Sequence, residues 1–461
     1  MFHATCQILK SKITKMSLST VLEEIEEKGI TGVRFEQTDL NGVARSKLIP
    51  SRHFKDKATG GVNFYLGHIG MDVQAAVVPG TGFAEEVGYC DAVMFPDYSS
   101  FKELPWAEKT ARILVEPTYK GEYVSAHPRV AARRQLEKLK DLGYSLFSAH
   151  EHEFYVVDKV TKKPINNDIN IRSTLRMFPL RRFVKQVMED MPVAGVDIEQ
   201  VESEYGPGQV EITYKPAFGI RSADNAFTFK TGIKEIALLH GFQASFMSKP
   251  FLNQSGSCTH FCHSLYQADE KTPVFYDANS PIGLSEVGQN WAAGILAHAP
   301  AIEVLMAPTV NCLKRVGGGF CPKNATWGMD NRTTMLRIKV NGDMGTYMEN
   351  RAGAGGANCY LVLAATVAAG MDGIINKYKL PAETTGCANN PEDVPPKTAD
   401  LPNNMEAALE ALLNDEVIRN AFGEDFIKCF SAVKMHEAKL EKQALAKGQK
   451  NWDFDFYFEY L

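Results

Sequence analysis

Two acids lie on one face of an otherwise apolar strand. In Ser-Leu-Phe-Ser-Ala-His-Glu-His-Glu-Phe-Tyr-Val-Val, residues 145–157, Glu151 and Glu153 stand two apart, and side chains two apart on a strand project to the same side. Carboxylates so close repel each other, so they require a cation, a shared proton or solvent. A second pair, Glu204 and Glu211, flanks Tyr205-Gly206-Pro207-Gly208, a run of turn formers. Beyond it Val210, Ile212 and Tyr214 alternate with Glu211 and Thr213, so a hairpin would carry both glutamates to one end of a sheet. Glu349 in Met-Glu-Asn-Arg and His260 in Gly-Ser-Cys-Thr-His add further donors. Oxygen-rich donors with a single imidazole suit Mg²⁺ or Mn²⁺ better than Zn²⁺. Arg315, Arg332, Arg337 and Arg351 lie in the same half of the chain and offer an anion clamp. Carboxylate-held cations beside such a clamp point to ATP-driven ligation. Taken singly, each signal is weak. Glu-x-Glu on a strand is ordinarily solvated, Glu349 with Arg351 as an exposed ion pair contributes little, and a lone histidine is more often a satisfied core or surface residue.

The chain has 461 residues, enough for two or three domains. Its 44% apolar content supports a large core. The net charge of -5 argues against nucleic-acid or anionic-membrane partners, which need a basic surface. The longest apolar run, Cys359 to Met371, is Ala-rich and carries Thr366; it is too short to span a bilayer and reads as a buried helix. Nine scattered cysteines form no Cys-x-x-Cys pair, so reduced thiols in a cytoplasmic protein are expected. The first sixteen residues carry no arginine and no small-residue cleavage site, and read as a variable extension rather than a targeting peptide.

Thr20 and Glu23 fit a capping box opening a helix to Lys28. Val33–Phe35 and Ser46–Ile49 read as strands about the turn Asp39-Leu40-Asn41-Gly42, followed by strands Ala92–Phe95 and Ala111–Val115. His127-Pro128-Arg129 marks a boundary, then a long helix from Val130 to Leu142. Beyond it strands and helices alternate, with a loop from Asn389 to Asn404 and a Lys/Glu-rich helix after Ala432. The aromatic tail with Trp452, Phe454, Phe456 and Phe458 is too apolar to leave in water; it is expected to dock on the protein, across a subunit contact. Gly353 to Gly356 lacks the spacing and acidic partner of a dinucleotide loop.

From about residue 20 to the C-terminus these segments, in this order, resemble the glutamine synthetase superfamily, bacterial-type class I branch. Glu151-His152-Glu153-Phe154 is similar to the family's Glu-Pro-Glu-Phe strand, and Gly-Pro-Gly-Gln-Val-Glu ending at Glu211 to its second acidic segment. Phe246 to Pro250 with Gly256 to His260, Asn311-Cys312-Leu313-Lys314-Arg315, Trp327 to Arg332 with Arg337, and Glu349 to Arg351 continue the match. The resemblance implies an α+β fold: a variable extension over 1–19, a β-grasp domain over 20–120 and a catalytic-type α/β domain over 127–461. It implies one Mg²⁺ or Mn²⁺ on Glu153, Glu204 and Glu211, and another on Glu151, His260 and Glu349. Gly256, Arg315 and Arg351 would hold substrate or the transferred phosphoryl group; Ser264, Arg332 and Arg337 would face ATP. It also implies stacked hexameric rings, a dodecamer of this chain.

The departures cluster at the ammonium site. The family's flap carries a glutamate within Pro-Gly-Tyr-Glu-Ala-Pro; here Gly317-Gly318-Gly319-Phe320-Cys321-Pro322 has no acid. Tyr65 stands where the family has an aspartate, with Asp72 nearby; Cys262 replaces a phosphate-facing histidine, Cys258 a glycine and Ser255 an asparagine. A general acid or base contributes about 10²–10⁴-fold, so ammonia-dependent glutamine synthesis is expected to be lost, with no residue left in a catalytic acid–base role, and ATP binding weakened. The expected role is that of the family's vertebrate lens branch, structural or chaperone-like and associated with intermediate filaments. The alternative is a ligase joining glutamate to ammonia or another amine. Cys258 and Cys262 around His260 are expected to be packing thiols.

Overall fold

The computed structural model describes residues 16–166 and 171–461; residues 1–15 of the expected extension lie outside them. The first helix is Leu18–Glu27, which buries Val21 and Ile25 one turn apart. Its cap is Ser17, whose hydroxyl accepts from the Thr20 amide, so the helix starts upstream of the expected Thr20 box. Ser17 is extended, and Met16 and Leu18 on either side pack on the core.

The strands Gly32–Thr38 and Ala44–Pro50 form the expected hairpin. Asp39 Oδ1 closes its turn by accepting from the amides of Asn41 (2.9 Å) and Val43 (3.0 Å). Gly32–Thr38 then runs parallel to Thr110–Tyr119, which pairs with Asp91–Pro96, which pairs with Val62–Tyr65. With two short flanking strands this makes a seven-stranded sheet among the described residues. Phe54, at the start of the helix Phe54–Gly60, covers it against Phe35 and Phe101, ring centroids 5.7 and 6.4 Å away.

The second, nine-stranded sheet is built around the long strand Tyr144–Asp158. It is reached through the helix Pro128–Asp141, whose first turn takes Pro128, where a missing amide costs nothing. The order across the sheet is Trp327–Met329, Leu336–Lys339, Tyr347–Asn350, Thr259–Gln267, Tyr144–Asp158, Gln209–Tyr214, Ile198–Ser203. Ala217–Phe218 and Phe242–Ser245 also pair with the long strand. Helices cover the sheet. The run from Cys359 lies in the buried helix Cys359–Ile375, packed on Glu286–Ala297. A Cβ on Gly294 would stand 2.3 Å from the Ala369 carbonyl, so that crossing requires glycine. No helix among the described residues is long and apolar enough to cross a membrane.

The loop from Asn389 to Asn404 contains one short turn of helix, Pro391–Asp393. The helix Glu424–Ala446 contains the Lys/Glu-rich segment after Ala432 and extends upstream of it, where Phe426, Ile427, Cys429 and Phe430 are all core residues. The tail is helical over Trp452–Tyr457 and docks on its own chain. Phe456, Tyr457, Phe458 and Leu461 are buried, the Leu461 carbonyl accepts from the Phe246 amide at 3.0 Å, and Asp453 pairs with Lys314 at 2.9 Å.

Candidate functional site

Register assembles the site. On the long strand, Glu151 lies opposite His260 and Glu153 opposite Glu211. Glu204 sits at the start of the turn, its amide donating to the Gln209 carbonyl at 2.9 Å. Gly208 makes this turn with φ 75°, and a Cβ there would meet the Val156 carbonyl at 2.6 Å. Tyr347–Asn350 pairs with Thr259–Gln267 on the other flank and delivers Glu349. Two groups of three result. Glu153, Glu204 and Glu211 bring one carboxylate oxygen each within 4.8 Å of one another; Glu151, His260 and Glu349 do the same with an imidazole nitrogen. These are the two sets that the family resemblance pairs.

Both open on a cleft of about 1150 Å³ lined by Glu151, Glu153, Glu204, Glu211 and His260 and, above them, Arg315, Arg332, Arg337 and Arg351. Gly256, Ser264, Cys262 and Cys321 also line it. The structure thus brings together every residue proposed for substrate, nucleotide and cation, although Glu349 is buried behind His260 rather than on the cleft wall.

The first group is only partly compensated, by Arg315 and Arg351 at Glu153 and by Arg172 at Glu204. Burial, reinforced by the charge of Glu153, pushes the Glu204 carboxyl up to about 7 and the Glu211 carboxyl up to about 9. Burial also raises Glu153, which is aimed by the Gln209 side-chain amide at 3.0 Å and the Cys258 backbone amide at 3.1 Å. Buried carboxylates in contact hold protons at neutral pH unless a cation replaces them. The donor set therefore fits a hard divalent ion.

The second group is compensated differently. His260 Nδ1 stands 3.4 Å from Glu151 Oε2 and 3.3 Å from Glu349 Oε1. Burial, with the Arg351 charge, holds its pKa well below the usual value, so the ring is neutral, the form that ligates metals. Arg337 donates to Glu349 Oε2 at 2.9 Å and Arg351 donates to Glu349 Oε1. Arg337 is shared with Asp330. Arg315 is buried and turned to the backbone, donating to the carbonyls of Ala352 (2.9 Å) and Arg351 (3.2 Å), which fixes the segment carrying Arg351. Arg332 is exposed at the rim.

The small sheet contributes none of the cleft-lining residues. Tyr65 ends the strand Val62–Tyr65 and packs near His68 and Tyr89, ring centroids 5.6 and 6.4 Å away. Asp72 is buried and accepts from the Ala76 amide at 2.8 Å, closing its own turn. Neither places an acid in the cleft of this chain. Residues 317–322 fold as a turn with Gly317 and Gly319 at positive φ and Phe320 53% exposed.

Three residues of the site escaped the sequence reading. Gln209 orients Glu153, and its place beside the Gly-Pro-Gly turn was the available signal. The Cys258 backbone amide does the same by tertiary placement alone. Glu303, in the helix Ala299–Met306, is 1% exposed with Oε2 unpartnered. Burial pushes its carboxyl up to about 8, with Arg315 near enough to oppose the rise; only the fold reveals that neighbour.

Residues 125–457 match the glutamine synthetase catalytic domain. The chain is 36% identical over 448 residues to lengsin of Rattus norvegicus, covering 93% of this chain and 76% of that protein. It is 33% identical to the glutamate–isopropylamine ligase of a Pseudomonas species, covering 98% and 100%. Among solved structures, the GmaS/ADP complex in conformation 1 superposes with a TM-score of 0.82 at 27% identity, over 94% of this chain and 99% of that one. The sequence match, the shared fold and the arrangement of acids and arginines agree: this chain belongs to the glutamine synthetase family.

Proposed function

We propose that the protein is an ATP- and divalent-cation-dependent ligase that joins the side-chain carboxylate of a glutamate-like substrate to an amine other than ammonia. One observation carries this reading: two three-donor groups, all but the buried Glu349 on the wall, share one cleft with four arginines, while neither Tyr65 nor residues 317–322 supply an acid for ammonium. Glu153, Glu204 and Glu211 would hold one Mg²⁺ or Mn²⁺, and Glu151, His260 and Glu349 the other. Bound cations offset phosphate charge and polarise the phosphoryl group. Arg332, Arg337 and Ser264 would meet ATP, and Arg351 would orient the substrate carboxylate, with Arg315 holding the segment that carries it. The carboxylate oxygen attacks the terminal phosphorus and ADP leaves; the amine nitrogen then attacks the acyl carbon, expelling phosphate and losing one proton. Ammonium requires a negative partner once desolvated. An alkylammonium carries the same charge and must likewise lose its proton before it attacks, but its apolar body gains binding from burial that ammonium lacks, and Phe320 and Met344 line the cleft.

The test is a phosphate-release assay with ATP, Mg²⁺ or Mn²⁺, glutamate and a panel of ammonia, methylamine and isopropylamine. Release that depends on an alkylamine and exceeds the ammonia rate is expected. A clear preference for ammonia would contradict the reading. A second reading draws on Glu349: with both its oxygens bonded to Arg337 and Arg351, that group is satisfied without substrate or cation. On it the protein is a cytoplasmic, structural or chaperone-like particle associated with intermediate filaments. Silence with every amine, together with co-sedimentation on such filaments, would favour it.

A further inference from the structure

We propose that Glu303 is a positioning residue for the anionic substrate: protonated, it leaves the Arg315 guanidinium to the cleft and to the segment that carries Arg351; ionised, it draws that guanidinium away. This deepens the ligase reading and rests on it. Glu303 lies in the helix Ala299–Met306, off the cleft wall, and is 1% exposed. Its Oε2 has no hydrogen-bond partner among the described residues. A buried carboxyl oxygen without a partner is costly, so this side chain either keeps its proton or takes a cation as partner. The cation near it is Arg315, which itself lines the cleft.

The same helix is tied to the segment that Arg315 holds. The Met306 carbonyl accepts from the Ala354 amide at 2.9 Å, while Arg315 donates to the carbonyls of Ala352 and Arg351 just before it. Glu303 thus stands behind Arg315, and Arg351 stands on the cleft wall. Backbone carbonyls are neutral acceptors, and a carboxylate binds a guanidinium more strongly. Ionised Glu303 therefore competes for the donors that fix residues 351–352, and its charge offsets part of what Arg315 presents to the cleft. Burial pushes the Glu303 carboxyl up to about 8 against the pull of Arg315, so the proton is held at neutral pH and lost in mildly alkaline solution. The other titratable group near it is Cys321, whose thiol burial pushes up. Arg315 also faces Glu153 and the Cys258 thiol.

Isothermal titration with L-glutamate in the presence of Mg²⁺, without ATP, tests this. Between about pH 6.5 and about pH 9 the wild-type affinity should fall by about tenfold more than that of Glu303→Gln, the effect of one pKa unit. Glu204 and Glu211 titrate in both proteins, so the difference between them isolates Glu303. Glu303→Leu, of similar bulk and without a proton to lose, should match Glu303→Gln. Mn²⁺ binding read by electron paramagnetic resonance reports an intact cleft in each variant, and if one variant fails to fold the other carries the comparison. Parallel falls in the wild type and the neutral variants overturn the proposal and leave the ligase reading standing. A uniform loss of affinity at both pH values in the variants marks a merely structural role and overturns it as well. No glutamate binding by the wild type at the lower pH overturns both.

Discussion

Glu211 concentrates the strain of the site in one side chain. Its carboxyl titrates at about 9 and that of Glu204 at about 7, against an ordinary value of 4.5. Between the ordinary value and these raised ones, the folded protein holds protons that the unfolded chain has released. Stability contributed by these groups is therefore present at low pH and lost as pH rises through about 7 and about 9. The melting temperature of cation-free protein should fall between about pH 5 and about pH 9, and Mn²⁺ should raise it most at the alkaline end. A melting temperature independent of pH and of Mn²⁺ would refute this. Glu211→Gln removes one like charge: the fall with pH should become shallower and the Mn²⁺-induced rise should shrink. Differential scanning calorimetry reads both.

Two elements hold the site in shape. The hairpin between Ile198–Ser203 and Gln209–Tyr214 turns at Gly208, where any Cβ is strained by φ and by the Val156 carbonyl. Gly208→Ala should cost about 1–3 kcal/mol in denaturant unfolding and weaken Mn²⁺ binding, because Glu204 and Glu211 would no longer meet. An unchanged midpoint would show that the turn relaxes freely. The C-terminal tail is the second element. It anchors Asn311 and Lys314 through Asp453, directly before Arg315, and its carbonyls accept from Phe246 and Lys234. Deleting residues 451–461 withdraws the buried Phe456, Tyr457 and Phe458, each contributing about 1.5–3 kcal/mol. The truncated chain should melt well below the full chain and bind nucleotide more weakly; equal melting curves would count against an anchoring role.

At the scale of the molecule, the small sheet ends in an open edge. The strand Ala44–Pro50 is its outermost strand, with Leu48 62% exposed, and unpaired edges of this kind invite a partner. The ring assembly proposed from the family resemblance would use such surfaces. Light scattering should give a mass many times that of one chain, reduced by Leu48→Lys; a monomeric wild type would end the ring proposal. Tyr65, on the same sheet, does not line the cleft of its own chain.

What the sequence alone determined follows from local physics. Alternation fixed the acidic strand and the second hairpin strand, because a strand's two faces differ every second residue; Gly-Pro-Gly fixed the turn between Glu204 and Glu211; Pro128 fixed a helix start. The first helix starts upstream of Thr20, because Ser17 takes the cap and accepts from the Thr20 amide. Tertiary structure decided the rest. Only strand register sets His260 against Glu151 and Glu211 against Glu153. Pairing with the neighbouring strand brings Arg337 onto the carboxylate of Glu349, which Arg351 two residues on also meets, and only packing buries that pair and sets Glu303 near Arg315. Electrostatic environment is a property of distance through a low-dielectric interior, and the sequence order carries no record of those distances.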